Sequence, residues 1–227
     1  MATISTDRYI YPPRPSTSVP RNETEFFKSL GWIAQYKYNG SRCLIKHLPD
    51  GTIQLWNRHG ERFRTYHAPD WLQEEVRQAI YKFGLASDAY HVLDGELLDQ
   101  KHSEIKDTIV IWDILVMDGE HLLDSTYMLR YDSLCKALSK EERWFYKSWD
   151  FGFRLSDHVL LPQSYAGSDW DYLWDVVSKV NAPFPERPLL EGLMLKDPLG
   201  TLERGFREKN NGTWMVRSRV QTGRHNF

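Results

Sequence analysis

The segment from Trp32 to Trp56 constrains the fold of this chain more than any other part of its sequence. It contains three short β-like runs, at 32–36, 42–47 and 52–56, separated by turn signals at Tyr38-Asn39-Gly40 and Pro49-Asp50-Gly51. Short runs with turn residues between them are typical of strands joined by hairpins. The segment therefore predicts antiparallel sheet.

The rest of the chain mixes helical and strand patterns. Apolar residues recur at helical spacing in three segments, so we predict helices over residues 69–84, 126–143 and 168–181. Four further β patterns predict strands over residues 91–98, 108–115, 189–196 and 213–220. Because the order is not a regular βαβ alternation, the sequence predicts an α+β fold with mostly antiparallel sheets flanked by helices.

The composition is that of a globular protein large enough for one substantial core: among 227 residues, 41% are hydrophobic and 26% are charged. Residues 1–24 are rich in Pro, Ser, Thr and Arg, so we predict an extended N-terminal arm there and a folded domain over 25–227. No apolar run approaches the length of a membrane span, and the N-terminus lacks the apolar core of a signal peptide. We therefore expect a cytoplasmic protein with no membrane contact.

The two cysteines are consistent with a cytoplasmic location. Cys43 and Cys135 form no Cys-x-x-Cys pair, so the sequence supports neither a zinc site nor a disulfide framework. This usage favours a reducing compartment.

The net charge of −2 means that any nucleic-acid binding must come from a local basic patch. One segment near the C-terminus offers six basic residues against a single acid, Glu208. The basic residues are Arg204, Arg207, Lys209, Arg217, Arg219 and Arg224. A solvated charged face explains the same pattern.

A candidate nucleophile, Lys37, stands at the end of a predicted strand, directly before the turn at Tyr38-Asn39-Gly40. A lysine amine becomes a useful nucleophile when desolvation or a neighbouring cation favours its neutral form. Arg42 could be that cation, or it could bind a phosphate with two nitrogens. Taken alone, a surface lysine beside a hairpin explains the same residues.

Two carboxylates at strand ends, Glu96 and Glu191, could hold a divalent metal or a ribose hydroxyl. Glu191 and Lys196 lie five positions apart, and a regular strand would point them to opposite faces. Both reach one site only if the strand bends.

Five short motifs bring these residues into one order. They are Lys37-Tyr38-Asn39-Gly40-Ser41-Arg42; Asp94-Gly95-Glu96; Trp112-Asp113 with Asp118-Gly119-Glu120 downstream; Glu191-Gly192-Leu193-Met194-Leu195-Lys196; and Trp214-Met215-Val216-Arg217-Ser218-Arg219. In this order and form they resemble the nucleotidyltransferase domain of ATP-dependent DNA ligases, within the superfamily that also contains RNA ligases and mRNA capping enzymes. The resemblance covers roughly residues 25 to 220.

The resemblance implies an ATP-grasp-like nucleotidyltransferase domain in which Lys37 takes AMP from ATP as a covalent lysyl-AMP. It implies that Trp112 stacks on adenine, that Gln35 reads the adenine amino group, and that Glu96 and Glu191 hold Mg²⁺ or Mn²⁺. The implied nucleotide site comprises Gln35, Tyr36, Arg42, Arg58, Glu96, Trp112, Lys196, Arg217 and Arg219.

The expected activity is therefore an ATP-dependent DNA ligase, acting as a monomer on nicked duplex DNA. An RNA ligase, a capping-type guanylyltransferase and a degenerate domain that only binds nucleic-acid ends are the alternatives. The chain departs from the family pattern at Asn39, where the motif has Asp, and in its fifth motif, where arginines replace lysines. We also expect no C-terminal oligonucleotide-binding-fold domain in this chain.

Overall fold

The computed structural model describes residues 8–99, 105–139, 143–146, 149–167, 169–203 and 205–220. The strands within these residues are Arg14–Val19 (β1), Ile33–Tyr38 (β2), Ser41–His47 (β3), Ile53–Asn57 (β4), His91–Leu98 (β5), Thr108–Met117 (β6), Glu120–His121 (β7), Arg143–Tyr146 (β8), Trp149–Arg154 (β9), Val159–Pro162 (β10), Tyr165–Ala166 (β11), Leu190–Lys196 (β12) and Asn211–Arg219 (β13). The α-helices are Thr24–Ser29 (α1), Asp70–Lys82 (α2), Tyr127–Cys135 (α3) and Trp170–Asn181 (α4).

The strands form two sheets. The first has the order β1-β13-β12-β2-β11, and the second has the order β4-β3-β5-β6-β10-β9-β8 with β7 paired to β6. Among the described pairs, β1 with β13 and β6 with β10 are parallel, and the rest are antiparallel. This arrangement confirms the predicted α+β class. The turn at Asn39-Gly40 carries the chain from β2 in the first sheet to β3 in the second.

Helices cover the sheets with the apolar faces that their sequences predict. The stripe of α4 is buried in a cluster shared with β2 and β12, and it consists of Trp170, Leu173, Trp174 and Val177. Helix α2 buries Leu72, Val76 and Ile80 in a second cluster, which also takes residues of α3 and of the second sheet. None of the described helices has the length and apolar character needed to cross a membrane.

The third predicted helix is shorter than its pattern indicates. Helix α3 ends at Cys135, and Arg143–Tyr146 forms β8, which pairs with β9 in the second sheet. After α3, residues 136–139 form a turn and irregular structure, and only Arg143 of the predicted range lies in β8.

The described part of the predicted extended N-terminal arm, residues 8–19, packs against the folded domain. Strand β1 is the edge strand of the first sheet and pairs with β13, and Ile10 is buried beside Leu44 and Leu115. Pro15 within β1 is accommodated because β1 lies at a sheet edge, where proline is tolerated.

Candidate active site

A cavity of about 920 Å³ takes its lining from both sheets. All the predicted site residues border it: Gln35, Tyr36, Lys37, Arg42, Arg58, Glu96, Trp112, Glu191, Lys196, Arg217 and Arg219. Eight lysines and arginines outnumber five acids in this lining by three, although the whole chain carries −2. The cavity is therefore an electropositive site suited to an anion.

Only part of the predicted basic segment contributes to this charge. Arg217 and Arg219 border the cavity, whereas Arg207 and Lys209 are exposed outside its lining. Arg204 and Arg224 lie outside the described residues.

Lys37 lies at the C-terminal end of β2, and its side chain is held by an acid. Its Nζ is 2.6 Å from Oε2 of Glu191, and Nη2 of Arg219 is 3.1 Å from the same oxygen. The Lys37 side chain is 18% exposed. The amine is thus held in place at the cavity, and Glu191 joins it to the end of β13.

A bulge in β12 brings Glu191 to the same side of the strand as Lys196. The pairing of β12 with β2 shifts between Leu190 and Gly192, where Gly192 has a φ of 139°. A Cβ at Gly192 would lie 2.1 Å from the carbonyl oxygen of Ser218, so this close approach requires glycine. Strand β12 therefore has an irregularity between Leu190 and Gly192, as a shared site for Glu191 and Lys196 requires.

Arg42 is paired with Asp94, not with Lys37. Its guanidinium binds both carboxylate oxygens of Asp94, which also accepts a hydrogen bond from Nε1 of Trp112 at 3.2 Å. The Arg42 guanidinium lies 5.0 Å from the centre of the Trp112 ring. Asp94, to which the sequence assigned no separate role, thus fixes both the cation and the predicted adenine-stacking ring.

Lys196 is buried in a small polar network. Its Nζ donates to Oε1 of Gln35 at 2.7 Å and to the hydroxyl of Tyr127 at 3.1 Å. Burial lowers the pKa of Lys196 to about 7, although the nearby Asp113 acts in the opposite direction. We therefore expect Lys196, in the wall of the cavity, to change its protonation state near neutral pH.

The Gln35 amide is engaged at both ends. Its Oε1 accepts from Lys196 and from the Tyr127 hydroxyl, and its Nε2 donates to Oγ of Ser164 at 3.0 Å. In this arrangement the carbonyl expected to read adenine is already occupied by protein donors. Tyr127 and Ser164 belong to no motif, and no local sequence signal identifies them.

The turn after Lys37 is supported by Glu96. Oε1 of Glu96 accepts a hydrogen bond from the Gly40 amide at 3.1 Å, and a Cβ at Gly40 would lie 2.5 Å from the Glu96 side chain. The side chain of Asn39 donates to the carbonyl oxygen of Pro188 at 2.9 Å. An aspartate at this position could not donate that bond, which gives a physical reason for the departure from the motif.

The remaining residues of the predicted nucleotide site, Tyr36, Arg58 and Arg217, differ from one another in burial and in their contacts. The Tyr36 ring stacks on Phe151 at 4.8 Å between centroids and is buried in the core beside α4. Arg58 is exposed, and its Nε contacts Nε2 of His59 at 3.1 Å. Nε of Arg217 donates to Oγ of Ser18 at 2.5 Å.

The predicted metal ligands, Glu96 and Glu191, fit a metal ion that is also bound by the phosphates of a ligand. The described residues contain no group of three His, Cys, Asp or Glu side chains arranged to hold a metal ion. Glu96 and Glu191 nevertheless border the same cavity. Mg²⁺ commonly takes one or two protein carboxylates and completes its shell with substrate phosphates and water. These two residues fit a metal that arrives with a phosphorylated ligand.

Comparison with known proteins supports the ligase resemblance. No protein-family model matches the chain. A curated DNA ligase of Ignicoccus hospitalis is 29% identical in an alignment 162 residues long, which covers 59% of this chain and 26% of that protein. The chain thus spans about a quarter of the length of this relative.

Solved structures show the same fold. A mycobacterial DNA ligase D complexed with ATP and MES aligns with a TM-score of 0.51 and 16% identity, over 94% of this chain and 60% of the other. The ligase domain of M. tuberculosis LigD gives 0.53 and 18%, over 91% of this chain and 58% of the other. Together with the curated relative, these matches confirm the resemblance to ATP-dependent DNA ligases, and the fold is that of a ligase nucleotidyltransferase domain.

Proposed function

We propose that this chain, over residues 25–227, is the nucleotidyltransferase domain of an ATP-dependent DNA ligase and that Lys37 is its nucleophile. The observation that carries the proposal is the position of Lys37 in an electropositive cavity bordered by every residue of the predicted nucleotide site. The ATP complex of the mycobacterial ligase with this fold supports ATP as the substrate.

In the first step, the Lys37 amine, after losing its proton to solvent, attacks the α-phosphorus of ATP. A phosphorus–nitrogen bond forms, the bond to the bridging oxygen breaks, and pyrophosphate leaves. Glu191 positions the amine through the 2.6 Å contact, and Lys196 and Arg219 supply positive charge for the phosphoryl oxygens. A divalent metal such as Mg²⁺ or Mn²⁺, held by Glu96 and Glu191, would neutralise triphosphate charge.

The base is proposed to lie against Trp112, whose indole is fixed by Asp94. Because Gln35 is held by Lys196 and Tyr127, it reads the adenine amino group only after that network rearranges. Its first effect on the site is therefore to orient Lys196.

In the later steps, AMP passes from Lys37 to the 5′-phosphate of a nicked duplex, and the neighbouring 3′-hydroxyl displaces AMP to seal the strand. The DNA ligase named among the relatives supports this substrate. We propose that the domain acts as a monomer and within the cell, where a DNA substrate is found.

The test is incubation of the protein with α-labelled ATP and Mg²⁺, followed by denaturing electrophoresis. The wild type should retain the label, and Lys37→Ala should not. Preferential labelling by GTP would instead favour a capping-type enzyme, and no label with either nucleotide would contradict the proposal. Sealing of nicked duplex DNA, compared with nicked RNA, then identifies the polynucleotide.

A further inference from the structure

The segment of residues 9–19, which we call the N-terminal strap, spans the two sheets beside the cavity. At its start, the hydroxyl of Tyr9 donates to the carbonyl oxygen of Asn57 in the second sheet at 2.9 Å. In its middle, the carbonyl oxygen of Pro13 accepts from Nη2 of Arg42 at 3.1 Å. Its last six residues are β1, which pairs with β13 in the first sheet. The strap is therefore fixed at several points.

Arg14 of this strap borders the cavity, and its backbone amide donates to the carbonyl oxygen of Asn210 at 2.9 Å. Its Nε and Nη2 atoms are buried, and neither has a hydrogen-bond partner among the described residues. A guanidinium stays protonated in proteins, so burial of its donors without a partner is unfavourable. Prolines on both sides, Pro13 and Pro15, restrict the backbone that would let the side chain leave.

Arg42 is paired with Asp94, and Arg217 donates to Ser18. Arg219 also has a buried Nε without a hydrogen-bond partner among the described residues, but its Nη2 contacts Glu191. Arg14 differs from these arginines in that two of its guanidinium nitrogens are buried without such a partner. Arg14 thus offers two preorganised donors to a ligand, in the planar fork that matches phosphoryl oxygens.

We propose that Arg14 is a phosphate-binding residue of this site, donating from Nε and Nη2 to oxygens of one phosphoryl group. The proposal rests on the proposed function for the identity of the ligand, because the phosphoryl group belongs either to the ATP triphosphate or to the 5′-phosphate of a strand end. In both cases phosphoryl oxygens would accept hydrogen bonds from the Arg14 guanidinium.

The test measures equilibrium binding by calorimetry with two probes: inorganic tripolyphosphate, and nicked duplex DNA with either a 5′-phosphate or a 5′-hydroxyl. Arg14→Ala is compared with Arg8→Ala, which removes the same charge from a residue outside the cavity lining. The Arg8 guanidinium lies 4.1 Å from the centre of the Phe206 ring. Loss of a charge-assisted hydrogen-bonded contact should raise a Kd by about 10- to 100-fold in Arg14→Ala. Arg8→Ala should bind as the wild type does.

The two probes distinguish the sources. A loss confined to tripolyphosphate assigns the triphosphate, and a lost preference for the 5′-phosphate over the 5′-hydroxyl assigns the strand end. Unchanged binding of both probes, or equal losses in Arg8→Ala, would overturn the proposal. Neither probe requires catalysis, so a wild type that forms no lysyl-AMP would contradict the proposed function and leave this result interpretable.

Two further measurements separate ligand binding from a structural role. Because Nε and Nη2 of Arg14 have no partner to lose, Arg14→Ala should unfold at a temperature no lower than the wild type does. Arg14→Lys keeps the charge without the planar fork, and its affinity should fall between those of the wild type and Arg14→Ala. Destabilisation of both variants without added phosphate would identify a structural residue and overturn the proposal.

Discussion

Lys196 is the residue whose chemistry the cavity alters most clearly, because burial lowers its pKa to about 7. A phosphate beside Lys196 favours the ammonium and so raises this pKa in the complex. Above pH 7, nucleotide binding should therefore take up a proton, and affinity should fall with rising pH by up to about tenfold per unit. Well below pH 7 the ammonium is present in both states, and Lys196 should contribute no pH dependence to the affinity.

Calorimetry with a non-hydrolysable ATP analogue, in buffers of different ionisation enthalpy, measures this proton uptake directly. Lys196→Met is the control, since it removes the titrating group. The same uptake in Lys196→Met would show that another residue is responsible.

The side chain of Asn39 donates a hydrogen bond to the Pro188 carbonyl oxygen, and substitutions at Asn39 test what this bond contributes to stability. Asn39→Asp restores the residue of the ligase motif but places a carboxylate against that carbonyl. We expect the free energy of unfolding to fall by about 1–3 kcal/mol in urea titrations. Asn39→Ala, which loses the bond without adding charge, should lose less; a stabilised Asn39→Asp would refute this explanation.

The sequence predicted the residues of the cavity better than the contacts among them. Residues such as Lys37, Glu96 and Lys196 belong to motifs whose order identifies them, and the structure brings them to one cavity. Tyr127 and Ser164 could not be identified, because they meet Gln35 only through folding over long sequence separations. The pairing of Arg42 with Asp94 likewise depends on the register of β3 against β5.

The bulge in strand β12 decides whether Glu191 and Lys196 share a site. Gly192→Ala would place a Cβ against the Ser218 carbonyl oxygen and strain a φ of 139°. We expect a loss of about 3 kcal/mol in the free energy of unfolding and a loss of lysyl-AMP formation.

Gly51→Ala is the matched control, because Gly51 also has a positive φ, 79°, but open space around its Cβ position. It should cost about 1 kcal/mol and leave lysyl-AMP formation intact. Equal losses of stability in the two variants would show that backbone strain alone, and not the close approach of β13, requires glycine in β12.

The sequence indicated that β12 must bend but not where, since a bulge depends on the partner strand. It also placed the end of α3 too late, since the helix ends at Cys135 and a turn follows it. The pairing of Arg143 in β8 with β9 could not be predicted from a local pattern. Helices α2 and α4 were predicted closely since their apolar stripes meet the sheets directly.

At the scale of the whole molecule, a net-negative chain concentrates positive charge in one cavity. Tripolyphosphate binding should therefore weaken by about tenfold or more as ionic strength rises from about 0.01 M to about 1 M, where screening becomes short-ranged. Arg58→Ala, at the cavity, should reduce this dependence. Arg154→Ala, paired with Asp157 elsewhere, should not. Affinity independent of salt would contradict an electrostatic origin for binding.

Peptide mass spectrometry after incubation with ATP and Mg²⁺ tests whether Lys37 carries AMP. The peptide containing Lys37 should gain the mass of one AMP and lose it when pyrophosphate is added, because the step is reversible. Lys37→Ala should show no such peptide. AMP attached to another residue, or no adduct on a folded wild type, would contradict the claim.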